Sequence, residues 1–222
     1  MVGGRQSDPP RIETPFSGVP PKIFSLVFPM RSLFAALGVA SATLLFAAPL
    51  LRSNGVSAGT AVRLDVSQLT HNSALIVEGR VLSAATVEAE GLIQTEYLLE
   101  VDRTFAGDDE SYRMVRLPGG VREDGTGMLL AGMPRIELGD ESLFFLTGES
   151  HNGMRMPVGL AQGKFDVVEL ADGTKSLVRD ASDVTLVNSL TGRVSSAGGH
   201  TILDYARVVA EIEAALAEKR GR

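Results

Sequence analysis

Chemistry in a chain without cysteine must come from histidines, carboxylates, hydroxyls or amines, and here these are widely scattered. His71, His151 and His200 are the three histidines of the 222 residues. Each lies in a turn-like context with neither a ligand nor a base at a fixed spacing. A metal centre needs converging ligands, and neither an H-x-x-x-H pair nor a Cys cluster occurs. Asp108, Asp109 and Glu110, and separately Glu123 and Asp124, offer hard oxygens. A calcium loop draws six or more oxygens from several positions, so these short runs read as solvated turns. Pro118-Gly119-Gly120 lacks the Gly-Lys-Ser/Thr ending of a phosphate loop and reads as a strand-ending turn. Lys164, beside Phe165, reads as a strand-end lysine with its stem laid over apolar surface. Glu78, Glu96 and Glu100 are the carboxylates that could form an acid/base pair. Strand alternation puts Glu96 and Glu100 on one face, and cross-strand pairing could bring Glu78 near them. The favoured reading is the wet face of a half-buried sheet. No catalytic, cofactor-binding or metal residue is assigned, and no cofactor is expected.

The elements that would position such groups are mostly strands. From Ile93 onward, Ile93, Thr95, Tyr97, Leu99, Val101 and Phe105 alternate with Gln94, Glu96, Glu100, Asp102 and Thr104, the period of a half-buried strand. Ala74 to Leu82 repeats the pattern, with Leu75, Val77 and Val81 opposite Glu78 and Arg80. Gly79 within it suggests a bulge where a sheet curls. Tyr112 to Leu117, Ser142 to Gly148, Met156 to Leu160 and Gly163 to Leu170 are further strand candidates. Asp172-Gly173 marks a hairpin into Ser176–Asp180. Val62 to Leu69 reads as a short strand followed by a turn or helical turn.

Leu203, Ala206, Val209, Ile212 and Leu216 repeat at helical spacing behind a cap-like Thr201 and Asp204. A C-terminal amphipathic helix is therefore expected, packed on its own sheet in preference to binding a partner. The fold class is mainly β: a small antiparallel OB-like barrel, or alternatively a β-sandwich, closed by that helix. The expected organisation is 1–29 leader or misassigned start, 30–58 signal peptide, 59–180 β-barrel domain, 181–200 connecting segment with a possible strand at 184–187, and 201–222 helix.

The segment from Met30 has a basic start, an apolar run over 33–51 and the small-x-small triplet Val56-Ser57-Ala58. That is the layout of a secretory signal cleaved after Ala58; the alternative is retention of 33–51 as a membrane anchor. An exported protein, periplasmic or secreted, is expected. Residues 59–222 carry 16 Lys and Arg against 25 Asp and Glu. With no basic stripe to grip phosphates, nucleic acid is excluded as a partner class, while a protein partner in the envelope or medium fits.

SALIVEGRVLSA, IQTEYLLEVDRTFAGD, VRLPGG, GMPRIELGDESLFFLTG and PVGLAQGKFDVVEL, in that order, resemble an exported bacterial domain of uncharacterised role. The likeness covers Leu69 to about Arg179. Ile76-Val77-Glu78-Gly79-Arg80-Val81 and Phe105-Ala106-Gly107 are also similar to the opening of the netrin-like module of tissue inhibitors of metalloproteinases. That resemblance implies an OB-type barrel. The inhibitors coordinate the protease zinc through an N-terminal cysteine, so their mechanism does not transfer to a chain with none. The expected function is a non-catalytic binding or accessory module; the alternatives are a modulator or inhibitor of an exported protease and a hydrolase with a dispersed carboxylate site.

Overall fold

A computed structural model describes residues 59–195 and 198–221; the expected leader and signal peptide, 1–58, lie outside the described residues. Twelve strands and two helices follow in order: β1 Gly59–Val62, α1 Val66–Asn72, β2 Leu75–Ala89, β3 Leu92–Ala106, β4 Tyr112–Pro118, β5 Gly120–Val121, β6 Gly127–Met128, β7 Glu141–Leu146, β8 Lys164–Glu169, β9 Lys175–Asp180, β10 Val184–Val187, β11 Val194–Ser195, β12 His200–Asp204 and α2 Tyr205–Arg220. The fold is mainly β. Seven strands form one antiparallel sheet in the order β12-β9-β8-β7-β2-β3-β4, β1 pairs in parallel with β10 in a small sheet completed by β11, and β5 pairs with β6.

The large sheet is open, with no closed barrel among the described residues. Closure of the curled β7-β2-β3-β4 part would need the free edge of β7 to meet β4, but β8 occupies that edge. The loop after β7 nonetheless reaches β4, where Arg155 N donates to Arg116 O at 2.8 Å. The curl itself comes from bulges between Ile76 and Val77, Glu78 and Gly79, and Val81 and Ser83. A Cβ on Gly79 would strike the Glu100 carbonyl, so only glycine allows β2 and β3 to approach there.

Both faces of the sheet are covered. Ile76, Leu143, Phe145, Phe165 and Leu177 pack with Val66 and Leu69 of α1 and Val208 and Ile212 of α2. Leu75, Val77, Val81, Leu99, Val115, Leu117 and Phe144 form the second core, against which Met133 and Ile136 pack. The bulge leaves Asp102 without a β2 partner and inverts the alternation beyond it. Phe105 thereby joins the helix-side core instead of sharing a face with Leu99.

β2 and β3 run past the expected ends to a turn at Glu90 and Gly91, both at positive φ. The Asp172-Gly173 hairpin joins β8 to β9 as expected. Met156–Leu160 is not a strand: one bridge pairs Pro157 with Leu146, and a 3-10 turn follows over Leu160–Gly163. α1 is a true helix because Asp65 and Gln68 close a capping box. α2 starts at Tyr205 rather than Thr201, since His200–Asp204 is taken up as a strand beside β9 and the Asp204 side chain accepts from Arg207 N at 2.8 Å. Lys219 then fastens the end of α2 to α1, donating to His71 O at 3.1 Å and Ser73 O at 2.8 Å.

Candidate functional site

The segment from Leu129 to Asp140 has no period of its own and crosses the second core as a strap. Its course is set by local chemistry. Gly132, at φ 81, offers its carbonyl to Ala161 N at 2.8 Å. The Lys164 ammonium donates to Arg135 O at 2.8 Å and contacts Asp140 at 3.0 Å and Asp166 at 2.6 Å. Asp140 also accepts from Glu137 N at 3.0 Å, and the turn docks on β2 through Gly139 N to Val81 O (2.8 Å) and Val81 N to Asp140 O (2.9 Å). Lys164 is not the snorkelling lysine that its place beside Phe165 suggests. Instead it is 7% exposed and ties the strap down.

Met133, Pro134 and Arg135 partition a cleft into two lobes. One lobe, of about 440 Å³, is lined by Glu137, Asp140, Asp166, Asp180 and Asp183 against the cations Arg135 and Lys164. The other, of about 660 Å³, runs from Thr95 and Tyr97 past Leu117, Pro118, Gly119 and Gly120 to Met128 and Leu130. Asp183 touches both lobes. The acid lobe therefore keeps a negative excess, because the charge of Lys164 is spent on Asp140 and Asp166. The Ser182 hydroxyl holds Asp180 below the usual carboxylate range, and His200, 3.3 Å away, helps. In the apolar lobe, burial pushes the Tyr97 phenol up, opposed by its hydrogen bond with Thr95. Thr95 is itself fixed by donating to Gly119 O at 2.8 Å, so the Pro118-Gly119-Gly120 turn is a wall of this lobe.

The three carboxylates weighed as an acid/base set go to different partners. Glu78 is 2% exposed, which overturns its reading as part of a wet face. It accepts from Tyr205 Oη at 2.6 Å and lies 3.6 Å from Lys175, which also binds Glu141 at 2.9 Å. α2, arriving from the far end of the chain, covers the face that Glu78 shares with Ile76. Glu96 accepts from Arg116 at 2.7 Å, and Glu100 is exposed opposite Arg80. His71 sits at the end of α1 bound to Ser67 O at 2.8 Å, and His151 contacts Asn152 at 2.8 Å. Among the described residues, no group of three or more histidines and carboxylates is placed to hold a metal. Asp124 caps its own turn at Thr126.

Sequence reasoning missed the cleft, whose strap has no periodicity to announce it. The one signal was the apolar stretch Met128–Ala131, of which only Met128 belongs to a strand. It also missed that Gly55-Val56-Ser57-Ala58-Gly59 has the Gly-x-Ser-x-Gly form. A nucleophile elbow turns from strand into helix; here Gly59 opens a strand, and the serine lies outside the described residues. No protein-family model matches the chain, and no curated protein gives a significant match.

Proposed function

We propose that the chain is an exported, non-catalytic binding module that takes an extended segment of a protein partner into the cleft. The observation that carries this is the pairing of an apolar lobe floored by Tyr97 and Leu117 with an acid-lined lobe across the Met133–Arg135 partition. A site of that kind favours an apolar side chain set next to lysine or arginine. The apolar residue supplies burial, and the cation supplies charge complementarity and orientation. The signal-like layout of residues 30–58 supports export, and the acidic balance of residues 59–222 offers no basic stripe for an extended polyanion such as nucleic acid.

The test uses peptides of six residues pairing a large apolar residue with lysine or arginine, alongside the same peptides with glutamate in place of the cation. Calorimetric titration is expected to show binding for the cationic set, weakened by roughly tenfold or more on charge reversal and lost in Tyr97→Ala. Equal affinity for both sets, or an unchanged affinity in Tyr97→Ala, sinks the reading.

A second reading, modulation of an exported protease, is favoured by one loop. Leu190 is 94% exposed between β10 and β11, and Asn188 braces the turn by accepting from Leu190 N at 3.0 Å and Thr191 N at 2.9 Å. A rigid loop presenting one large apolar residue suits a protease cleft. Unchanged proteolysis by the host's exported proteases across a concentration series of the chain rejects it.

A further inference from the structure

Arg179, on β9, is a buried cation that has no carboxylate partner among the described residues of an acid-rich chain. The residue is 7% exposed, its guanidinium carbon lies 5.4 Å from the centroid of the Phe165 ring, and its Nε is buried with no hydrogen-bond partner. Lys164, equally buried, has three oxygen partners. Among the described residues the charge that bears on the Arg179 guanidinium, after burial, is that of a second cation, the exposed Arg63. After burial itself, Arg63 is what holds the Arg179 pKa below the usual arginine range. A guanidinium stays protonated all the same, so the site carries unbalanced positive charge. A buried donor without an acceptor costs stability, and the ring face offsets only part of the cost.

We propose that Arg179 and Arg63 form a binding site for a dianionic oxyanion of the phosphate class. A guanidinium fork matches two oxygens of such an anion, the Phe165 ring lies against the guanidinium, and the second arginine favours a double charge over a single one. Neither arginine lines the cleft, so the site stands whether or not the proposed peptide function holds.

Thermal unfolding of the purified chain tests this, with sodium phosphate, sodium acetate and sodium chloride compared at matched ionic strength. Phosphate is expected to raise the unfolding midpoint saturably, by a few degrees, as any ligand of the folded state does; acetate is expected to give no rise beyond chloride. Arg179→Met should abolish the phosphate response while leaving the midpoint in chloride unchanged or higher. Arg63→Gln, at an exposed position, should weaken the apparent phosphate affinity several-fold. The proposal is overturned by no phosphate-specific rise in the wild type, by an equal rise with acetate, or by a response that both variants retain. Should Arg179→Met not fold, an unaltered response in Arg63→Gln overturns it alone.

Discussion

Glu78 shows what a single buried carboxylate does in this fold. Its partners Tyr205 and Lys175 come from α2 and β9, so one residue of β2 ties the C-terminal helix to the sheet. Tyr205→Phe removes the neutral donor and leaves the carboxylate to Lys175. A hydrogen bond to a charged group contributes about 2 kcal/mol, and urea unfolding at pH 7 should show a loss of that size. The same contacts set an alkaline limit. Burial first, then the bond to Glu78, raises the Tyr205 pKa above 10.0, and the hydrogen bond with Glu141 is the main cause raising Lys175 above 10.5. Both groups hold their protons more tightly in the folded chain. Their stabilisation is therefore complete below pH 10 and is lost as pH rises through the folded values. The urea midpoint should fall from pH 10 upward, less steeply in Tyr205→Phe; an identical alkaline slope in the variant would show that this contact is not responsible.

At the scale of elements, the bulged hairpin β2–β3 decides where everything else sits. Gly79→Ala places a methyl group against the Glu100 carbonyl. The strand must shift, at a cost of about 3 kcal/mol, seen as a lower unfolding midpoint and faster amide exchange along β2 and β3. A midpoint within a degree of wild type would mean the close approach is not obligatory. The period-two patterns of these strands were legible from the sequence, as were the Asp172-Gly173 hairpin and the presence of a C-terminal helix; the helix nonetheless buries Val208, Ile212 and Ala215, while Leu203 falls in β12 and Ala206 is exposed. What escaped depended on distant partners. One extra residue at Asp102 flips Phe105 to the other core, and a polar position such as Glu78 looks solvent-facing until α2 is laid over it. His200–Asp204 became a strand because the β9 edge was open, overriding a cap-like sequence that resembled a helix start. The strap had no pattern to read, because its shape comes from Lys164, Gly132 and the Val81 backbone.

For the whole molecule, an open sheet covered on both faces leaves its most distinctive surface at the cleft lined by the strap, and away from that cleft Arg179 is buried without a carboxylate partner among the described residues. The proposed export is also tested on the whole chain. Intact-mass analysis of the exported protein should give a mature chain that starts at or near Gly59, and a mass that includes residues 33–51 would indicate a retained anchor. If the two-lobed cleft holds the ligand, amide chemical-shift mapping during titration with an apolar-cationic peptide should give saturable shifts concentrated at Thr95–Tyr97, Leu117–Gly120 and Met128–Arg135, with the exposed face of α2 unmoved; shifts centred on α2 or on the Leu190 loop, with the strap silent, would rule the cleft out as the binding site.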